Sequence, residues 1–214
     1  MSHAPRKFRR RAEARPDEVL DAALAVFVEK GFAAAKVDEV AKQAGVSKGL
    51  VYLYFPSKEA LLEGVVQRAV APLAQTALPD LQRSEGDPRP AIRMLLELLC
   101  KTLSDPKKIA VPKLIMREVM GFPHMGEMYR RQVLDKVIPV LTGLIARGVA
   151  EGHLRPIDPE MTTRSIVGPI LAHIALSEIF GIEPEDGLAL ERLVANHLDI
   201  LFHGISAKPP ETLP

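Results

Sequence analysis

In the span VDEVAKQAGVSKGLVYLYFP, residues 37–56, Gly45 and Pro56 leave no room for a helix longer than about two turns. Yet Val37, Val40, Ala41 and Ala44 repeat at the spacing of one buried helical stripe, and Val51 and Phe55, four apart, do so again after the break. Helices this short recover too few hydrogen bonds to offset nucleation, so they must pack on longer neighbours. The span therefore dictates a unit of several helices joined by tight turns.

The neighbours are legible on both sides. A first helix starts at Pro16, with Asp17 and Glu18 at the positive end of its dipole; Leu20, Ala23, Leu24 and Phe27 line one face, and Gly31 closes it. The second helix ends at Gly45, Ser47 is the N-cap of a third, and Pro56 stops that one. Ser57 caps a fourth, whose buried side begins with Leu61, Leu62, Val65 and Val66. The third helix turns Lys48, Gly49, Tyr52 and Leu53 outward. In a chain with three tyrosines and no tryptophan, Tyr52 and Tyr54 fall together there.

Two short helices around a glycine turn, the second offering a lysine and tyrosines, have the form of a helix-turn-helix. Gly49 would let the backbone approach a groove, Lys48 would neutralise a phosphate, and tyrosine hydroxyls would bond phosphate oxygens or base edges. On spacing alone, a glycine turn between two ordinary helices with Tyr54 half-buried fits equally.

No window alternates with period two, so the chain reads as all-α. A loop is expected around Pro79, Gly86, Pro88 and Pro90, followed by a helix from Arg89 to Leu103 and a restart at Asp105 and Pro106 toward Met120. A long segment from Pro123 to Glu151 is closed by Gly152. Asp158 caps a helix running to Phe180, and a last one covers Pro184 to His203. The predicted organisation is a basic flexible arm (1–15), a DNA-binding unit (16–60), a larger helical domain (61–205) and a flexible tail (206–214).

The net charge of +1 hides an asymmetry: Arg6, Lys7, Arg9, Arg10, Arg11 and Arg15 precede the first helix with Glu13 as the single acid among them. Such an arm reads either as a solvated tail or, lying directly before the short helices, as a nonspecific contact to nucleic acid. Cys100 alone allows neither an internal disulfide nor a thiolate cluster, which fits a cytoplasmic protein. No run of apolar residues is long enough for a membrane span, and no apolar stretch follows the basic N-terminus as a secretory signal requires. There is no nucleophile elbow, phosphate loop or HExxH, and His197 and His203 lack the i, i+4 spacing of a helical metal pair; neither an enzyme, a cofactor nor a metal is expected.

The stretch PDEVLDAALAVFVEKGFAAAKVDEVAKQAGVSKGLVYLYFPSKEALLEGVV, residues 16–66, resembles the N-terminal DNA-binding region of the tetracycline-repressor (TetR) family of bacterial transcriptional regulators, carrying its EKGF ending, AGVSKG turn, YLYF recognition helix and PSKEAL restart. The resemblance implies a three-helix helix-turn-helix domain followed by a larger helical ligand-binding and dimerisation domain. It implies a homodimer, a double-stranded DNA operator and a small-molecule effector of unknown identity as partners. By position it implies DNA contacts from Lys36, Ser47, Lys48, Gly49, Leu50, Tyr52, Tyr54 and Lys58, with Val40, Ala44, Val46, Val51 and Phe55 as packing. The family often carries threonine where Lys36 and Leu50 stand, so a helix cap is lost at Lys36 and base readout at Leu50 becomes apolar.

In the larger half, EGHLRPIDPE and SIVGPILAHIAL resemble the loop and penultimate helix of family members. The apolar last two helices predict a four-helix dimer interface through Ile166, Ile170, Leu193, His197 and Leu201, although burial within one subunit satisfies the same pattern. An effector site is expected between the fifth and penultimate helices, lined by Met116, Met120, Phe122, Met125 and Met128 with Cys100 and His173. Methionines at helical spacing also fill cores, and a satisfied core histidine and an inert cysteine are the plain alternatives. The function expected is a ligand-responsive regulator, a repressor on a palindromic operator, released by a small apolar effector. Its alternatives are a DNA-binding protein whose larger domain only dimerises or binds a protein partner, and a helical enzyme using the C-terminal cavity.

Overall fold

The computed structural model describes residues 16–205; the predicted arm and tail, residues 1–15 and 206–214, lie outside them. Every regular element among the described residues is helical. The N-terminal set is α1 (Pro16–Ala34), α2 (Val37–Ala44), α3 (Lys48–Tyr54) and α4 (Lys58–Pro72), which passes through a π-helical turn (Leu73–Ala77) into α5 (Leu78–Arg83). Then come α6 (Arg89–Leu103), α7 (Pro106–Glu118), α8 (Pro123–Tyr129), a second π-helical turn (Arg130–Leu134), α9 (Asp135–Ala150), α10 (Pro159–Phe180) and α11 (Leu190–Ile205).

Local chemistry sets most boundaries. Ser47 Oγ accepts from the Leu50 amide at 3.2 Å, Ser57 Oγ from Ala60 at 3.1 Å, and Asp158 Oδ1 from Glu160 and Met161 at 2.8 and 3.1 Å. Each such cap stabilises its helix by about 1 kcal/mol. Two boundaries differ from expectation. Pro79 lies at the start of α5, directly after the π-helical turn in a continuous helical run, instead of in a loop. The last helix begins at Leu190, not Pro184; Gly187 (φ 72°) and Ala189 (φ 44°) occupy left-handed backbone that interrupts the approach.

One apolar core runs through the described residues without a break between the two halves. Leu61, Leu62, Val65 and Val66 of α4 are essentially fully buried, so the boundary expected after residue 60 cuts through a helix that serves both halves. Gly64 lets α4 approach α1: a Cβ there would stand 2.9 Å from both Leu20 Cδ2 and Phe55 Cε1.

Gly31 interrupts α1. At φ 76° and ψ 159° it turns the next peptide out of the helical path. The Phe32 amide then donates to Glu118 Oε1 of α7 at 3.3 Å, and the Val28 carbonyl, which an unbroken helix would pair with that amide, receives Arg117 Nη2 at 3.5 Å. The Phe32 ring packs on Phe27 (centroids 5.3 Å) and edge-on against Phe122 (5.5 Å).

Most of the residues expected at an interface on the last two helices are buried within the protomer. Ile166, Ile170 and Leu201 lie inside the protomer, and His197 is buried with Nε2 3.0 Å from the Ile166 carbonyl, tying α11 to α10; Leu193 is half-buried. What α10 and the following turn expose is a different apolar set: Leu171, Leu176, Ile179, Phe180 and Ile182, the last three 55%, 68% and 58% exposed.

Candidate nucleic-acid interface

The turn between α2 and α3 is built by Gly45. Its left-handed backbone (φ 70°, ψ 27°) lets its own amide reach the Lys42 carbonyl at 3.2 Å and the Val46 amide reach Ala41 at 3.0 Å, the paired bonds of a Schellman stop. Val40 and Ala41 of α2 and Val51 of α3 are buried against the core, and Phe55 and Val46 pack partly against it. With Val51 facing inward, α3 directs Lys48, Gly49, Tyr52, Leu53 and Tyr54 to solvent, while Leu50 is half-buried. These five lie on one seven-residue helix.

Gly49 is not demanded by the fold. Its backbone is not left-handed, and an added Cβ would meet only Ser47 Oγ at 4.0 Å. Leu53, which the pattern turns outward but which is not among the expected DNA contacts, is 75% exposed on the same helix.

The charges around α3 are partly paired. Lys48 Nζ lies 2.7 Å from Asp38 Oδ1 and 5.9 Å from the Tyr52 ring centroid; the carboxylate raises the lysine pKa and keeps it charged. Lys36 precedes α2 and its side chain makes no cap bond. Glu39 supplies half of one, accepting the Lys36 amide at 3.1 Å while it also holds Lys30 Nζ at 2.6 Å, and those two bonds lower its pKa. Lys58, expected at a flanking phosphate, is otherwise engaged. Its ammonium donates to the carbonyls of Phe32, Ala33 and Ala35 at 2.7, 3.1 and 3.2 Å and sits 4.5 Å above the Phe32 ring, so it closes the end of α1.

The residues expected to line an effector site sit in different surroundings. Met120 is 88% exposed, and Phe122 belongs to the aromatic cluster beside Phe32. Cys100 is buried and borders a recess of 280 Å³ with Glu191, Val194 and Leu198; burial raises its thiol pKa. His173 holds the Leu188 carbonyl at 2.6 Å and borders a separate recess of 350 Å³. Met116 and Met128 are half-buried, and Met125 is fully buried core. A signal the sequence did not carry lies nearby: Gln132 is buried, its Nε2 donates to Glu63 Oε1 at 2.8 Å, and its Oε1 has no partner. A roomier recess, about 740 Å³, opens between α1, α2 and α7 over Asp21, Val28, Ala44 and Ala110.

Residues 19–65 match the family described as bacterial regulatory proteins, tetR family, and residues 82–196 match the tetracyclin repressor-like C-terminal domain. The HTH-type transcriptional regulator RutR of Escherichia coli is 32% identical over 155 residues, covering 71% of this chain and 69% of that protein. Among solved structures, regulator FadR from Bacillus subtilis in complex with stearoyl-CoA superimposes with a TM-score of 0.70 at 20% identity, covering 89% and 99% of the two chains. The SmeT–triclosan complex gives 0.73 at 22%, covering 93% and 98%; SmeT is the repressor of a Stenotrophomonas maltophilia multidrug efflux pump. At these identities the two structures share the fold. Among the described residues no helix is long and apolar enough to cross a membrane.

Proposed function

The chain belongs to the tetR family of bacterial regulatory proteins, a family of transcriptional regulators, and on that premise we propose that it is a homodimeric repressor acting in the cytoplasm. Its α3 enters the major groove of each half of a palindromic operator, and a small, largely apolar effector releases it. The observation that carries the reading is the division of α3: Val51 is fully buried while Lys48, Gly49, Tyr52, Leu53 and Tyr54 are exposed around a glycine that the fold does not need. A glycine without an internal reason is what close approach by an outside surface requires. Tyr52 and Tyr54 carry hydroxyls for phosphates or base edges, Leu50 and Leu53 offer apolar contact to a thymine methyl, Ser47 lies at the amino end of α3, and Lys36 and Lys48 supply charge.

The dimer is supported by the exposed apolar side of α10, which is unlike an ordinary solvated helix face. An effector with an apolar part is supported by the ligands named for two relatives of this fold, triclosan and the acyl chain of stearoyl-CoA, and the buried Gln132 Oε1, left without a partner, is a polar group inside the larger domain that such a ligand could meet. The scattering of the expected effector residues favours a second reading, in which the larger domain serves only dimerisation. Selection of bound fragments from genomic DNA, followed by footprinting, tests the first part: two symmetric protected half-sites are expected, and no enrichment over random DNA at modest salt overturns it. Release of the bound fragment by triclosan or a long-chain acyl-CoA decides between the two readings.

A further inference from the structure

We infer that Arg117 and Glu178 form a strut that fixes the separation of the two α3 helices, and thereby the half-site spacing this protein accepts; the inference rests on the dimeric reading of α10. The strut is a continuous polar path. Glu178 of α10, 16% exposed at its side chain, is held between Lys113 Nζ at 3.1 Å and Arg117 Nε at 3.4 Å, both from α7. The other arm of the same guanidinium, Nη2, points to the Val28 carbonyl of α1 at 3.5 Å. The neighbouring Glu118 accepts the Phe32 amide. Two consecutive residues of α7 thus occupy both the acceptor and the donor that the Gly31 break sets free in α1.

The attachment has a second point. Lys107, at the other end of α7, lies 3.4 Å from Asp21 of α1. Held at both ends, α7 resists pivoting against α1, and with it against the unit that carries α3. On α10, Leu176 and Phe180 stand two residues on either side of Glu178, about 200° around the helix, and both are exposed. The carboxylate that grips α7 therefore lies directly behind the surface offered to a second copy. A chain of fixed side chains, from the dimer surface through Glu178 and Arg117 to the break in α1, sets where α3 stands relative to the two-fold axis. None of these residues lies on α2 or α3, so the role assigned to them is positioning.

The test uses the operator recovered with wild-type protein, resynthesised with one or two base pairs inserted or removed at its centre. Each base pair moves a half-site by about 3.4 Å along the axis, and wild type is expected to lose at least about tenfold in affinity at the wrong spacings. Arg117→Met and Glu178→Gln are each expected to remain folded dimers by melting and sedimentation. They should bind the original spacing within a few-fold of wild type, yet discriminate among spacings by about threefold or less, and the double variant should be no worse than the worse single because both break one path. Arg117→Lys keeps a charge for Glu178 but cannot hold it and the Val28 carbonyl with two arms; it decides the matter if Arg117→Met does not fold. Spacing profiles unchanged in folded variants overturn the strut alone. A wild type indifferent to spacing overturns both the strut and the dimeric reading beneath it.

Discussion

The backbone amide of Phe32 is bonded to Glu118 Oε1, 3.3 Å away and 86 residues further along the chain, and not within its own helix. Gly31 makes that possible, because φ 76° with ψ 159° is a region closed to side-chain-bearing residues, and a Cβ there would stand 3.0 Å from the same carboxylate oxygen. Gly31→Ala is therefore expected to lower stability by about 1–3 kcal/mol in a denaturant titration. Gly45→Ala, left-handed but in open space, should cost only about 1 kcal/mol. A cost at Gly31 no greater than at Gly45 would show that neither its backbone region nor the Glu118 contact adds strain.

Lys58 and Lys48 are expected to part company. Removing Lys58 strands three carbonyls at the end of α1, so Lys58→Met should cost about 1.5–3 kcal/mol of stability while leaving the salt dependence of DNA binding as it was. Lys48→Met should do the reverse: an unchanged melting temperature, and a slope of log affinity against log salt reduced by about one. Salt titrations of both variants check this, and a reduced slope for Lys58→Met returns that lysine to the phosphates.

Ile179 and Phe180 are exposed in the protomer, whereas Ile166 has no exposed surface. Asp substitutions at 179 and 180 together should yield a folded monomer by sedimentation, with helicity retained in circular dichroism. Ile166→Asp buries an unpaired charge in the core and should not fold. A double variant that remains dimeric places the interface elsewhere.

Asp87 links acid stability to the start of α6. The Arg89 side chain bonded to it lowers its pKa from the ordinary 3.8, against an opposing push from burial, and the Arg89 amide at 3.0 Å lowers it further. Between the folded pKa and 3.8 the unfolded chain binds more protons, so this contribution is whole above 3.8 and is lost as pH falls through the folded value. Asp87→Asn should therefore melt below wild type at pH 7, with the gap shrinking under pH 3.8. A gap that stays constant across that window rules out the ionised carboxylate as its source.

The N-terminal unit was legible because its signals are local. Gly45, Ser47, Pro56 and Ser57 act within a few residues of themselves, and their turn and caps stand where the pattern put them. α10 was legible as a helix but not in its orientation. It is apolar on two sides, and periodicity does not tell Ile166 and Ile170, which face inward, from Leu176 and Phe180, which do not. The bonds of Lys58 with Phe32 and of Arg117 with Glu178 join residues far apart in sequence, and no motif announces them. Pro79 sits where a helical run continues through a π-helical turn, a place where proline ordinarily marks a break, and no local signal announces the exception.

Whether α3 is a groove-reading helix is decided by Gly49→Leu. Leucine forms helices better than glycine, and the fold leaves the position open. Measured side by side on the selected operator at one salt concentration, the variant should be at least as stable as wild type and bind at least about tenfold more weakly, the loss of a close groove contact. Unchanged affinity, or a loss of affinity matched by an equal loss of stability, contradicts the claim.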